Sequence, residues 1–399
     1  TGKLLRANQP LVLFFLYCGI SLLWSDFPEV AVKRWTKALG DFVMILIVLT
    51  DLHPFAAVRR LLTRVTFLLI PLSTMFIKYF PEFGRAYGRW DYKTYYTGVT
   101  TNKNTLGGIC LIFGLASLWS LLSAWRSRRE PGRGRRLLAH AVILAMVLWL
   151  FSMANSMTSL ACFLLTCPLV WAAGSGMARR RTAWLHAMVA AVVAFALFAL
   201  FLSTGLLATI GRDPTLTDRT AIWGLVVSLV RNPLTGTGFE SFWLGPRLAS
   251  IWRIYSWGPA EAHNGYIEIY LNLGGIGLLL LAGVLVTGYR TVMDGVRARL
   301  PAAGLMLAYF TVGIIYNFTE AAFFRMMAPV WIVLMLALSK IPRSVRDREL
   351  ASRPVSGSEG TAREATPRDL SGEDKPRPGV PAFPDRDRWQ QARGGHVNA

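Results

Sequence analysis

Apolar runs close to the length of a membrane-spanning helix recur along most of this chain. A hydrocarbon core about 30 Å thick is crossed by roughly 20 apolar residues, so each run is a candidate span. A hydrophobic content of 53% in 399 residues also argues against a soluble domain. We predict an all-α integral membrane protein with about ten transmembrane helices, at residues 9–24, 38–52, 61–80, 104–125, 137–155, 157–174, 184–206, 263–289, 301–319 and 322–340. The run at 38–52 is short enough for a tilted or re-entrant segment instead.

The two ends of the chain differ from this membrane domain, which we assign to residues 1–341. Residues 342–399 are rich in charged residues, Pro, Ser and Gly, a composition that predicts a disordered cytoplasmic tail. No basic segment with a small-residue cleavage site precedes the first apolar run, so we expect no signal peptide, and further helices upstream of Thr1 stay open.

Basic residues indicate the orientation of the spans. Six arginines lie within residues 126–136, three more at 179–181, and others at Arg290, Arg297 and Arg299, all on one side of the ten-span topology. The positive-inside rule makes that side cytoplasmic. The opposite side then carries one long extracytoplasmic loop, residues 207–262, which we expect to be partly helical.

The outer loops nevertheless contain many basic residues. Single ones could pair with Asp213, Asp218 or Glu240, or anchor to lipid head groups. As a set they predict an anionic, phosphate-bearing lipid substrate, because guanidinium groups bind phosphate oxygens and stay charged. The set is Lys33, Arg34, Lys37, Arg85, Arg89, Lys93, Lys103, Arg212, Arg219, Arg231, Arg247 and Arg253.

His263 is the only one of the five histidines that the topology places on the outer face. Asp41, Glu268, Glu320 and Arg325 fall at a similar depth, and ionisable groups in a membrane are candidates for function. Alternatively, His263 is a helix cap, and Asp41 and Glu320 are structural partners of nearby cations. We expect those cations to keep the imidazole neutral near pH 7, so that it could accept a proton from a sugar hydroxyl.

Two helical faces stand out near this histidine. His263, Tyr266, Tyr270, Gly274 and Gly277 follow helical spacing, and the glycines predict close approach of a neighbouring helix. The tyrosines are more typical of packing than of a substrate platform.

Residues 217–231 have a second apolar face, which predicts an amphipathic helix on the membrane surface with Arg219 near its start. That face contains Ile222, Leu225, Val226 and Leu229.

The sequence predicts no metal, no other cofactor and no nucleic-acid partner. Asp213 and Asp218 lack convincing metal spacing, and Asp385 and Asp387 lie in the tail. The cysteines fall within apolar runs, without a disulfide framework or a CxxC metal spacing. They are Cys18, Cys110, Cys162 and Cys167.

Several segments resemble motifs of the O-antigen ligase and polymerase family. Residues 215–223 are similar to the Thr-Gly-Arg-like start of its long outer loop, and residues 232–239 to its Pro-x-x-Gly-x-Gly segment. Residues 263–268 resemble the His-Asn-x-x-Leu opening of the next span. Residues 101–107 and 24–28 resemble its Lys-Asn-x-Leu-Gly and Trp-Ser-x-x-Pro elements. The resemblance covers most of residues 20–340.

This resemblance implies a GT-C-like, metal-independent glycosyltransferase of the bacterial cytoplasmic membrane, with its active site facing the periplasm or exterior. Its donor would be an undecaprenyl-diphosphate-linked glycan, its acceptor a glycan or glycolipid hydroxyl, and the anomeric carbon would be inverted. His263 would be the base or a donor-positioning group, with Glu320 as a second catalytic residue. The predicted diphosphate-binding set is Arg219, Arg212, Lys103 and Arg231.

Two departures from the family pattern affect phosphate binding. Asp218 replaces the glycine of the Thr-Gly-Arg motif, and Met157 stands where relatives often have Arg or Lys, a contact that Arg212 could replace. Ligase and polymerase both stay open, because they differ only in the acceptor. A lipid-linked glycan flippase or transporter and a non-catalytic scaffold are the alternative functions.

Overall fold

The structure is a computed structural model that describes residues 2–87, 93–127, 131–175, 182–205, 215–325 and 328–341. Helices form almost all of it, and the predicted tail lies outside these ranges. A short antiparallel hairpin, β1 (Arg85–Tyr87) and β2 (Thr94–Tyr96), pairs Ala86 with Tyr95. The helices are α1 (Gly2–Ala7), α2 (Gln9–Ile20), α3 (Pro28–Leu49), α4 (Pro54–Tyr79), α5 (Pro81–Gly84), α6 (Lys103–Arg126), α7 (Arg133–Ala154), α8 (Met157–Ala173), α9 (Ala183–Gly205), α10 (Thr215–Ser228), α11 (Gly245–Ile254), α12 (Gly265–Arg297), α13 (Ala303–Tyr316) and α14 (Pro329–Leu338).

Five of these helices are long and apolar enough to cross a membrane: α4, α6, α7, the Ala183–Leu200 part of α9, and α12. Shorter apolar helices occupy four more of the predicted spans, at Gln9–Trp24, Met157–Ala173, Ala303–Tyr316 and Pro329–Leu338. Large apolar side chains such as Leu68, Phe198 and Leu279 are exposed on the spanning helices, as expected for lipid contact. These helices are consistent with the all-α membrane class, and the count of ten spans and the long outer loop stay predictions.

Several predicted spans have different bounds in the structure: α4 begins at Pro54, seven residues before the expected start, and α12 continues to Arg297, eight residues beyond the expected end. The helix expected at 38–52 is α3, which begins ten residues earlier because Pro28 occupies its first turn. Lys33, Arg34 and Lys37 therefore lie on a helix and not in an outer loop. Within the described residues, the span expected at 322–340 contains only α14 as a helix, since residues 317–325 form turns and irregular backbone and Pro329 starts the helix.

The helices alternate in direction, so that their connections gather at two ends. The start of α6, the turns after α13, the start of α14 and the hairpin line one shared cavity. We call this the His263 end, because His263 immediately precedes the Asn264 cap of α12. The last residues of α6, α8 and α12 lie at the opposite end, where they line another cavity with the start of α13.

Helix α12 is interrupted at Gly274, whose φ is 65° and ψ −163°. Only glycine adopts this conformation without strain, and a Cβ atom there would overlap the backbone of Leu234. The sequence interpretation of this position is wrong in one respect. Gly274 is approached by Leu234 and Thr235, in the segment 207–262 that the sequence predicts as the outer loop, and not by a neighbouring helix, while the Cβ of a residue at 277 would meet Leu273 of its own helix.

This break leaves several backbone groups of α12 without helical partners. They form hydrogen bonds with the loop segment Asn232–Glu240 and, at Leu273, with Tyr17 of α2. Gly236, with φ 68°, allows the approach, since a Cβ there would lie 2.5 Å from the carbonyl carbon of Asn272. Unpaired backbone groups inside a membrane protein cost several kcal/mol each, so these bonds explain how the break is tolerated. The donors and acceptors are Thr237 N to Leu271 O (3.1 Å), Gly238 N to Asn272 O (2.9 Å), Gly275 N to Pro233 O (2.8 Å), Ile276 N to Leu234 O (3.1 Å) and Tyr17 Oη to Leu273 O (3.0 Å).

The amphipathic helix expected at 217–231 is present as α10, but its apolar face has a different partner. Ile222 and Val226 are fully buried, and Leu225 and Leu229 pack beside them. They contact Phe242, Trp243, Ile251, Ala262 and Leu271, which form a small core within the outer loop and α12. This face is therefore covered by protein and not by the membrane surface. The Thr215–Ala221 side chains, including Arg219, lie outside the described part of the structure.

The break at Gly274 generates a first prediction. Gly274→Ala should destabilise the protein by roughly 1–3 kcal/mol, because it forces a non-glycine residue to a positive φ and overlaps the loop. Thermal unfolding in detergent measures the effect. Gly283→Ala is the matched control, since a Cβ at 283 in the same helix meets nothing within 4 Å. Equal melting temperatures for the two variants would contradict this role of the loop.

Candidate active site

Two segments meet at the His263 end, and each is held by an asparagine. Asn264 caps α12, since its Oδ1 accepts hydrogen bonds from Tyr266 N at 3.0 Å and Ile267 N at 3.1 Å. Asn317 ends α13, and its Oδ1 accepts hydrogen bonds from Ala322 N and Phe323 N. Both asparagines are buried.

Backbone hydrogen bonds join these segments directly. Gly265 N points at two carbonyls of the turn after α13, Asn317 O at 2.9 Å and Glu320 O at 3.1 Å. A Cβ at residue 265 would overlap the Asn317 side chain, so this glycine permits the contact. The junction places the residues before α12 next to Glu320, although about 60 positions separate them in the sequence.

His263 lies between two glutamates at this junction. Its Nδ1 is 3.0 Å from Glu261 Oε1 and 3.4 Å from Glu320 Oε2. Its φ of 50° is unusual for a residue other than glycine and turns the chain sharply between Glu261 and α12. The side chains of the three residues are 12–19% exposed. The neighbours of Nδ1 are thus carboxylates and not the cations that we expected from the sequence.

A further cation completes the group. Arg325 forms an ion pair with Glu261. Arg34 of α3 donates to the backbone carbonyl of Glu240 at 2.5 Å and lies 3.7 Å from its carboxylate. Burial raises the pKa of the Glu240 carboxyl, while Arg34 and Arg325 lower it. Charges from three separate parts of the chain therefore interact beside His263.

A cavity of about 850 Å³ opens next to these residues. Glu261, Glu320 and Arg325 line one side, and the first turn of α6 lines the other with Lys103 and Asn104. Asn104 Nδ2 lies 3.5 Å from Glu320 Oε1, at the limit of a hydrogen bond. The hairpin contributes Ala86 and Tyr95.

Lys103 stands over the ring of Tyr95, with its Nζ 5.0 Å from the ring centroid. This cation–π contact holds an ammonium group at the edge of the cavity, next to the start of a helix. Backbone N–H groups and the helix dipole both favour an anion at such a start, although Asn102 Oδ1 already accepts from Thr105 N. The cavity thus combines cations that can bind phosphate with carboxylates that can accept a proton.

A half-buried carboxylate, Glu268, holds the turn at His263 in place. Glu268 accepts hydrogen bonds from Ala262 N at 2.5 Å and from Trp243 Nε1 at 2.9 Å. Asn272 Nδ2 lies 3.4 Å from its other oxygen. Glu268 thereby fixes the residue before His263 to α12 and to the outer loop.

Three ligand atoms of Glu261, His263 and Glu320 lie within 4.8 Å of one another, close enough to hold a metal ion. The sequence search relied on short spacings and could not find this group. Arg325 already places a positive charge on Glu261, which opposes a second cation there. The expected independence of metal stays a prediction.

The structure brings together part of the predicted site. His263 and Glu320 are in contact, and Glu320 and Lys103 line one cavity, whereas His263 lies behind Glu261 and Glu320 and is not among the lining residues. Arg231 is exposed beside the segment that docks at the α12 break, and it is not among the residues that line the cavity. Arg212 lies outside the described residues, as does the side chain of Arg219. Their roles stay predictions.

Asp41, Met157 and the cysteines are also placed. Asp41 is buried on α3 and is not among the residues that line the cavity. Met157 starts α8 with an exposed, uncharged side chain. The cation that relatives often have at this position is therefore absent. The four cysteines are free and at least partly buried, as predicted.

Sequence reasoning assigned no role to Glu261, and it named Arg325 only as one of the ionisable candidates at the depth of His263. Glu261 precedes His263 by only two residues, a signal that was available. Arg325 could be recognised only once the Asn317 turn had placed it near Glu261. Tyr266 packs against Phe318 and Phe323, in agreement with the predicted packing role.

Two comparisons with known proteins bear on this site. Residues 141–282 match the family model described as O-antigen ligase, a match that includes His263 and the break in α12. The chain is also 25% identical over 288 residues to the exopolysaccharide production protein ExoQ of Rhizobium meliloti (strain 1021). That alignment covers 69% of this chain and 63% of the relative, so the chain spans less than two thirds of the relative's length. Both findings support the family that the motifs resemble.

The role of Glu268 gives a second prediction. In Glu268→Gln, an amide NH₂ must face either Ala262 N–H or the Asn272 amide, because donors approach both carboxylate oxygens. We expect a loss of roughly 1–3 kcal/mol in stability, measured by thermal unfolding. Asp294→Asn is the isosteric control on the same helix, where the carboxylate is 60% exposed. If both variants unfold like the unchanged protein, Glu268 does not hold the turn.

Proposed function

We propose that this chain, a member of the O-antigen ligase and polymerase family, is a membrane glycosyltransferase. It transfers a glycan from an undecaprenyl diphosphate carrier to an acceptor sugar hydroxyl at the outer face of the bacterial cytoplasmic membrane, with no metal ion. The observation that carries the proposal is the contact of His263 with Glu261 and Glu320 at a cavity that also contains Lys103 and Arg325.

The cations would bind the donor. A diphosphate carries its negative charge on oxygen atoms that cations can bind with charge-assisted hydrogen bonds, and Lys103 and Arg325 both line the cavity. Arg219 joins the proposed diphosphate set as the family resemblance implies, and Arg212 replaces the cation that Met157 does not supply. Positive charge at the leaving group also stabilises the charge that develops as the carrier departs, which lowers the barrier.

The carboxylates and His263 would handle the proton. If the Nδ1–H of His263 is donated to Glu261 or Glu320, Nε2 is the nitrogen that remains as an acceptor. The acceptor hydroxyl gives its proton to this base while its oxygen attacks the anomeric carbon. The bond between that carbon and the diphosphate oxygen breaks, and undecaprenyl diphosphate leaves with the electron pair. Attack opposite the leaving group inverts the anomeric carbon.

Loss of the base should reduce chemistry far more than folding. His263→Ala and Glu320→Gln should each lower the transfer rate by about 10²–10⁴-fold, the usual contribution of general base catalysis. The assay measures transfer from purified lipid diphosphate donor in detergent. His53→Ala is the control, because His53 is exposed at the opposite end of the helices. Full turnover by both folded site variants would exclude these roles. A chelator should leave the rate unchanged.

The donor site has its own test. Lys103→Gln and Arg219→Gln should each raise the KM for the lipid diphosphate donor by about 10–100-fold, since each loses a charge-assisted bond to phosphate. Lys78→Gln is a charge-matched control, because Lys78 is exposed at the same end of the helices without lining the cavity. A KM unchanged in both Lys103→Gln and Arg219→Gln would place the diphosphate elsewhere.

The acceptor separates a polymerase from a ligase. Deletion of the gene followed by analysis of cell polysaccharide decides between them. Shorter chains indicate a polymerase, and full-length chains that are no longer attached indicate a ligase.

A further inference from the structure

A second basic cavity lies at the end of the helices opposite to His263. It has a volume of about 330 Å³ and is bordered by the last residues of α6 and α8 and by the connection from α12 to α13. Among its lining residues, only Arg126 and Arg299 are charged, and both are positive. Trp119, Val170, Ala173 and Leu300 contribute apolar surface.

Contacts with the end of α8 hold the Arg126 side chain in place. Its Nη2 donates to the carbonyl of Trp171 at 2.8 Å, at the end of α8. A Cβ at residue 174 would overlap the guanidinium group, so Gly174 leaves the space that Arg126 occupies. This contact fixes the arginine at the mouth of the cavity. Capping of α8 would by itself explain this contact of Arg126, but it would not explain why Arg299 lines the same cavity.

Arg299 is present at a conformational cost. Its φ is 56°, in the left-handed region where a helix end usually has glycine. The backbone bonds Arg299 N to Val296 O and Leu300 N to Gly295 O close the end of α12 around it. Within the described part of the chain, its side chain makes no hydrogen bond or ion pair that would account for an arginine here. An arginine in a strained position, directed with Arg126 to one cavity, points to an anionic ligand.

The depth of the cavity indicates which anion. Arg126 ends α6, and a helix of 24 residues is about 36 Å long, slightly more than the hydrocarbon thickness of a bilayer. The cavity therefore lies at the level of phospholipid phosphates. Basic pockets between membrane helices at this level bind anionic head groups.

We propose that this cavity binds the phosphodiester head group of an anionic phospholipid, in the leaflet opposite to the candidate active site. Arg126 and Arg299 bind the phosphate oxygens, and the apolar wall contacts the adjoining glycerol and acyl carbons. The site is separate from the donor-binding cavity, and it does not depend on the proposed transferase activity.

The experiment measures lipid retention by the full-length chain. The purified protein in detergent receives equal amounts of phosphatidylglycerol and phosphatidylcholine, and native mass spectrometry counts the bound lipids. We expect one phosphatidylglycerol to be retained in preference to phosphatidylcholine, and Arg126→Gln/Arg299→Gly to weaken this retention by about tenfold or more. Arg290→Gln/Arg297→Gln removes the same charge at the same end, outside the cavity, and should retain the lipid.

The single variant Arg299→Gly distinguishes loss of lipid binding from misfolding. Glycine suits the left-handed conformation, so this variant should melt at the same temperature as the unchanged protein or higher, and yet lose phosphatidylglycerol. Equal retention of both lipids, equal loss in the Arg290/Arg297 control, or full retention by folded Arg299→Gly would overturn the proposal. Displacement of the lipid by millimolar inorganic phosphate would also overturn it, because the site would then be one for free anions.

Discussion

A helix cannot be interrupted inside a membrane protein unless its released backbone groups find new partners. This requirement governs the structure around Gly274, where the outer loop supplies donors to Leu271 and Asn272 and acceptors to Gly275 and Ile276. The loop is therefore not free to move relative to α12. It is attached by main-chain hydrogen bonds roughly 13 Å along the helix from Gly265. The Pro-x-x-Gly-x-Gly segment is the part of the loop that makes this attachment, and its glycines are explained by backbone contact without any ligand.

A series of hydrogen bonds connects the break in α12 with the position of His263. Asn272 lies beside the break, and its Oδ1 accepts hydrogen bonds from Ser241 N at 2.9 Å and Phe242 N at 3.1 Å. The next residue, Trp243, donates to Glu268, which also accepts from Ala262 N. Each bond connects the loop with α12 through a buried or half-buried polar group, and such groups are costly to leave unpaired. These hydrogen bonds hold the loop rigidly against α12 and thereby position the His263 side chain.

Much of this arrangement could be predicted from the sequence, and there is a physical reason why the remainder could not. Apolar length revealed the spanning helices, because bilayer thickness restricts what can cross. His263 and Glu320 were selected by chemistry and predicted depth, and Lys103 by its outer position and the family resemblance; the structure brings them to one cavity region. Gly274 was misinterpreted, since a glycine at helical spacing looks the same whether a helix or a loop approaches it. The Glu261–Arg325 pair depends on a turn fixed by Asn317, a long-range contact that no local pattern encodes.

The length of α6 connects the two cavities. Its first residue, Lys103, lines the cavity beside His263, and its last, Arg126, lines the basic cavity at the other end. Because about 36 Å of helix exceeds the hydrocarbon core by only a few ångströms, both residues lie near the level of head-group phosphates. A cation at either end of such a helix meets phosphate with little exposure to hydrocarbon. The two cavities differ in their carboxylates, since Glu261 and Glu320 line the first, whereas the residues that line the second include none. Of these two cavities, the one beside His263 has carboxylates that can accept a proton, whereas the described lining of the other is suited to binding an anion.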